Sequence, residues 1–155
     1  MPPTRRSRRQ RVRLAALATA ATVAASAGTL VTLDAFAAVG CRVGYAITNQ
    51  WPGGFGATVT INNLGDALDG WDLRWSFTAG QTITQLWDGT VVQSGAQVTV
   101  TNASYNASVP TGGTATFGFN GSWNGSNPVP SSFTLNGTTC TGSTASNPEG
   151  PNARW

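Results

Sequence analysis

Nine residues, Gly70 to Thr78, read Gly-Trp-Asp-Leu-Arg-Trp-Ser-Phe-Thr. Side chains of a strand alternate between its two faces, so Trp71, Leu73, Trp75 and Phe77 fall together on one side. Asp72, Arg74 and Ser76 fall on the other. Four large apolar groups at a strict period of two predict a half-buried strand packed on a core. The stretch takes two of the six tryptophans for the interior and leaves the others to be explained.

The same alternation recurs along the chain. It places Val43, Tyr45 and Ile47 inward on a first strand over 42–49, and Val59 and Ile61 inward on a second over 56–63. Further strands are expected over 81–87, 91–92, 96–101, 113–120 and 132–135, with Phe117 and Phe119 on one face and Phe133 and Leu135 on another. Pro52-Gly53-Gly54 marks a turn within 50–55, Asp88-Gly89 reads as a tight turn, and 102–110 reads as irregular. About eight or nine short strands, with no helical pattern in the globular part, predict an all-β fold, an antiparallel β-sandwich.

The N-terminus has a different character. Six of the nine arginines (5, 6, 8, 9, 11 and 13) precede an Ala-rich apolar run, Leu14 to Leu33, followed by Ala35-Phe36-Ala37. This is the pattern of a secretory signal over 1–37, cleaved before Ala38, and it predicts a secreted, extracellular protein without a membrane anchor after cleavage. From Ala38 onward three arginines oppose five carboxylates, a net charge of −2. No basic footprint for nucleic acid remains.

Export makes the two cysteines informative. Cys41 and Cys140 bracket the strand-rich part, and in an oxidising compartment such an isolated pair reads as a disulfide. Closing a loop of about 100 residues stabilises by up to about 4.7 kcal/mol in the chain-entropy model. Past Cys140 the composition turns to Thr, Gly, Ser, Asn and Pro. Residues 141–155 are therefore expected to form a linker to a further domain after a module over 38–140.

Catalytic chemistry has little to work with. The chain has no His, which removes nucleophile–His–acid catalysis and His-ligated metal sites. Asp66, Asp69 and Asp72 cluster near one loop and Asp88 lies in a turn, and these read as turn or surface residues rather than a facing acid/base pair. No catalytic residue, metal ligand or cofactor loop is assigned. What remains are aromatics in hydrophilic surroundings: Trp51 beside Pro-Gly-Gly, Trp87 beside Asp-Gly, and Tyr105 within Asn-Ala-Ser-Tyr-Asn-Ala-Ser. Gln85 shares the face of Trp87 by parity. Either these rings close the ends of the sandwich, or they meet a ligand with apolar faces and hydroxylated edges, such as a sugar. Trp123 reads as structural or rim.

Several ordered segments carry a resemblance. Gly40-Cys41, Asn49-Gln50-Trp51, Asp69-Gly70-Trp71, Thr84-Gln85-Leu86-Trp87, Pro110-Thr111-Gly112-Gly113, Phe117-Gly118-Phe119-Asn120-Gly121-Ser122 and Leu135-Asn136-Gly137-Thr138-Thr139-Cys140 resemble family 2 carbohydrate-binding modules. These are the cellulose-binding modules of secreted bacterial plant-cell-wall enzymes. The resemblance implies a sandwich of about nine strands, immunoglobulin-like or jelly-roll-like, closed by the Cys41–Cys140 bridge. It implies a flat strip formed by Trp51, Trp87 and Tyr105, the last standing where Trp is usual, with Asn49, Gln85 and Asn120 as polar neighbours. Thr58 and Thr116 stand where a longer amide is often found. A xylan-binding branch carries Arg three residues after the first aromatic, and Gly54 here implies the flat, cellulose-binding arrangement. The implied partner is insoluble polysaccharide, cellulose above others, bound by a monomer that serves an appended glycoside hydrolase. The alternatives are a chitin- or xylan-binding module, or a small polysaccharide-degrading enzyme.

Overall fold

A computed structural model describes residues 40–141 and the strand at 144–146. The expected signal over 1–37, its cleavage site and residues 147–155 lie outside the described residues. Among the described residues twelve strands follow one another: β1 (Cys41–Trp51), β2 (Gly54–Asn63), β3 (Leu68–Asp69), β4 (Asp72–Ser76), β5 (Thr82–Trp87), β6 (Gly89–Ser94), β7 (Gln97–Asn102), β8 (Ser108–Val109), β9 (Thr114–Ser122), β10 (Phe133–Leu135), β11 (Thr138–Thr139) and β12 (Thr144–Ser146). They form a five-stranded sheet ordered β12-β1-β2-β9-β5, a second ordered β11-β10-β4-β7-β6, and a short ladder of β3 with β8. Every pairing is antiparallel except that of β12 with β1. The expected all-β sandwich is borne out.

The core lies between the two sheets, and β4 fills it as its alternation requires. Leu73 is fully buried, and Trp71, Trp75 and Phe77 nearly so. Trp75 is central: its ring stacks on Phe117 at 6.2 Å and on Phe119 at 6.1 Å, both from the opposite sheet. Phe133 at 5.9 Å and Phe77 at 5.8 Å, edge-on, complete its surroundings. Its indole N–H has no partner among the described residues, and packing holds the ring. The Cys41–Cys140 disulfide joins residues 99 apart in sequence. Next to it, Thr141 N–H donates to the Cys41 carbonyl at 3.0 Å, which leads the chain into β12 alongside β1.

Four local expectations need correction. The turn expected over 50–55 is confined to Pro52-Gly53: Gln50 and Trp51 belong to β1, and Gly54-Phe55 to β2. Asp88-Gly89 is no hairpin. Asp88 alone carries the chain from β5 in one sheet to β6 in the other, at φ 62°. The region 102–110 is not wholly irregular, because β8 pairs with β3. The composition of 141–155 suggests only a linker, yet 144–146 adds a strand to the first sheet, since a free sheet edge accepts any backbone.

Trp75→Ala is expected to cost about 3–5 kcal/mol through the cavity it leaves among four aromatic rings. Urea unfolding of the variant checks this, and a loss under about 1 kcal/mol would contradict the packing described.

Candidate functional site

The outer face of the sheet β1-β2-β9-β5 is built by register. Directly opposed residues on neighbouring strands point to the same side of a sheet. One cross-strand row therefore reads Trp51, Gly54, Ser122, Thr82. The next reads Asn49, Gly56, Asn120, Gln85, and the one beyond it Ala46, Thr58, Gly118, Trp87. The structure thus brings Trp51, Asn49, Asn120, Gln85 and Trp87 onto one surface. The amides of Asn49, Gln85 and Asn120 stand in a single row between the two indoles. Their side chains make no intramolecular hydrogen bond among the described residues, so their donors and acceptors are free for a ligand.

Strict alternation would have placed both indoles elsewhere. In β1, Ile47 opposes Ala57 inside the core, and two residues further on Asn49 opposes Gly56 on the outside. Thr48 has no partner and forms a β-bulge that inverts the parity of everything after it. In β5 the same happens between Ile83 and Gln85, where Thr84 is the extra residue. Without the two bulges Trp51 and Trp87 would share the inward face of Ile47 and Ile83. With them, Trp51 is 41% and Trp87 44% exposed. The Thr84 hydroxyl donates to the Asn120 carbonyl at 3.1 Å and ties its bulge to β9.

Each indole lies over a glycine of the adjacent strand. A Cβ on Gly54 would overlap the ring of Trp51, and a Cβ on Gly118 the ring of Trp87. Bare backbone lets both rings rest flat on the sheet instead of standing up from it. Gly54 and Gly118 are on neighbouring strands four residues apart in register, which separates the two rings by about 14 Å at ordinary strand spacing. Behind Trp51, the indole N–H of Trp123 donates to the carbonyls of Trp51 at 3.1 Å and Gly54 at 3.0 Å. Trp123 is thus a buried support of this turn, as its position in the sequence suggests. At the start of β5, Gln93 bridges β6 to the sheet edge: Ile83 N–H donates to its Oε1 at 2.9 Å, and its Nε2 donates to the Gln81 carbonyl at 2.9 Å.

The third ring comes from the loop between β7 and β8. Tyr105 is 72% exposed, and its hydroxyl donates to Oδ1 of Asp88 at 2.5 Å, directly beside Trp87. That hydrogen bond, with the charge of the same carboxylate, raises the phenol above the ordinary tyrosine value. Two of the described carboxylates are engaged singly: Asp72 accepts from Arg74 at 3.1 Å, and Asp88 accepts from Tyr105. Sequence reasoning missed Gly118, Trp123's two carbonyl partners and both bulges. Gly118 alone left a signal, as the only residue without a side chain between Phe117 and Phe119.

Residues 41–140 match a family model described as a cellulose binding domain. Over 113 residues the chain is 58% identical to endoglucanase A of Cellulomonas fimi, covering 73% of this chain and 25% of that enzyme. The chain thus spans about a quarter of the length of that relative. Among solved structures, the chitin-binding domain of Chi18aC from Streptomyces coelicolor aligns with TM-score 0.56 and 38% identity, over 68% of this chain and 98% of that one. The cellulose-binding family 2 carbohydrate-binding domain of ScLPMO10C aligns with TM-score 0.50 and 36% identity, over 59% of this chain and 90% of that one.

Gly118→Ala is expected to lift the Trp87 indole from the sheet, altering the near-ultraviolet circular dichroism while the far-ultraviolet spectrum stays that of the wild type. An unchanged near-ultraviolet spectrum would show that the ring does not rest on this glycine.

Proposed function

This chain belongs to the cellulose binding domain family, and on that premise we propose how it binds. It is a non-catalytic module that binds polysaccharide, cellulose in particular. Trp51, Trp87 and Tyr105 make a flat strip on the β1-β2-β9-β5 face, and Asn49, Gln85 and Asn120 meet hydroxyl groups between the rings. The observation that carries this reading is the pair of indoles lying flat over Gly54 and Gly118 with the amide row between them. Pyranose rings are apolar above and below and polar at the edge, so a flat ring with an amide beside it matches both parts. Gly54 leaves the Trp51 ring lying down, the posture that suits a planar array of chains. The module spans 38–140 after a secretory signal over 1–37, works extracellularly as a monomer, and docks an appended glycoside hydrolase on plant cell wall. Chitin is the second reading, favoured by the likeness to the chitin-binding domain of Chi18aC.

Affinity follows from ring area. If each ring removes roughly 50 Å² of apolar face from water, at about 25 cal/mol/Å² the three together contribute about 4 kcal/mol. That corresponds to a dissociation constant near millimolar, before polar contacts add and lost motion subtracts. Short oligosaccharides should bind weakly. An ordered crystalline face has already lost its motional freedom and should bind more tightly.

Depletion isotherms on crystalline cellulose and on chitin test this. Wild type should be retained on cellulose at low and high salt alike, since no charged patch is involved. Trp51→Ala and Trp87→Ala should each weaken binding roughly tenfold with little change in melting temperature, and Tyr105→Ala should weaken it less. Retention abolished by salt would contradict the strip, and stronger retention on chitin would favour the second reading.

A further inference from the structure

Two side chains of one loop converge on a single corner residue. Tyr105 donates its hydroxyl to Asp88 Oδ1 at 2.5 Å, and Asn106 donates through Nδ2 to the Asp88 carbonyl at 2.8 Å. Asp88 directly follows Trp87 and holds the left-handed conformation that Asp and Asn adopt most readily after glycine. Loop closure does not depend on the tyrosine. Gly70 N–H donates to the Ala107 carbonyl at 2.8 Å, and the Trp71 indole donates to the Asn106 carbonyl at 2.9 Å, so the loop is anchored without it. Tyr105 is also too exposed for packing to fix its ring. A free surface ring spends rotamer entropy on binding, whereas a charge-assisted hydrogen bond selects its orientation beforehand.

We propose that Asp88 is a positioning residue for polysaccharide binding, its carboxylate holding the Tyr105 ring beside Trp87 as a preordered third contact. This rests on the reading of the aromatic strip as the cellulose-contacting surface. Asp88 acts on the ligand through Tyr105, so its effect should vanish when the tyrosine hydroxyl is absent.

The test uses Asp88→Asn, Tyr105→Phe, the double variant and Trp87→Ala in the full secreted chain. Asn tolerates the same backbone conformation and keeps the carbonyl that Asn106 uses, so Asp88→Asn replaces the charged acceptor of the Tyr105 hydroxyl by a weaker, neutral one. Two measurements are paired: an isotherm on crystalline cellulose and an ultraviolet titration of tyrosine ionisation. The chain has two tyrosines, and burial pushes Tyr45 far upward, so the first phenol to ionise is that of Tyr105. Asp88→Asn should return that ionisation toward the ordinary tyrosine range. Tyr105→Phe should weaken binding roughly threefold, Asp88→Asn by a smaller factor, and the double variant should be no weaker than Tyr105→Phe alone. If Tyr105→Phe, which removes the hydroxyl altogether, binds cellulose as wild type does, the ring needs no positioning and the proposal is overturned. Additive losses in the double variant would overturn it too, by showing that Asp88 acts apart from Tyr105. Failure of the strip reading looks different: wild type and Trp87→Ala would then bind alike or not at all, and the positioning role would fall with it.

Discussion

A β-strand cannot change which face a side chain occupies without breaking its register, and a shift of one residue reverses every position beyond it. This molecule depends on that constraint twice. β1 and β5 each begin with residues that must fill the core, Val43, Tyr45 and Ile47 in one and Ile83 in the other. Each ends with a tryptophan that must face out. Thr48 and Thr84 supply the single extra residue that reconciles the two demands. Both bulges flank the same cross-strand row, so the parity change occurs where Asn49, Asn120 and Gln85 line up. The surface is therefore a product of two irregularities set in an otherwise regular sheet.

Rigidity behind that surface comes from the core. Trp75 and its four aromatic neighbours clamp the sheets together, and Phe117 and Phe119, which it stacks against, are the inward neighbours of Gly118. The strand that presents a bare backbone to Trp87 on one side thus presents two large rings to the core on the other. Trp123 acts similarly for the turn that carries Trp51, pinning two carbonyls with one indole N–H. Indoles held this way have little motion left to lose on meeting a flat ligand, as the proposed binding mode requires.

Much of this was legible in the sequence. The alternation of Trp71, Leu73, Trp75 and Phe77 identified the core strand, because large apolar groups at a period of two suit a half-buried strand and neither a helix nor a loop. Exposure of Trp51, Trp87 and Tyr105 was one of two readings of their polar surroundings, and the Cys41–Cys140 pair followed from isolation in a chain read as exported. Other features were hidden for physical reasons. A bulge at Thr48 or Thr84 needs no glycine or proline, so nothing local announces it. Asp88-Gly89 has the composition of a hairpin turn, but a left-handed Asp serves a corner between sheets equally well. The bond from Tyr105 to Asp88 joins residues 17 apart whose proximity only the fold creates.

The claim at the centre of this account is that the bulges turn Trp51 and Trp87 onto a binding face while Trp71, Trp75 and Trp123 stay inside. Nuclear magnetic resonance titration with a soluble cello-oligosaccharide measures it directly, because each indole N–H gives its own signal. The signals of Trp51 and Trp87 and the side-chain amides of Asn49, Gln85 and Asn120 should move together, with those of Trp71, Trp75 and Trp123 stationary. Shifts centred instead on Arg74, Gln97 and Thr134, across the opposite sheet, would contradict it.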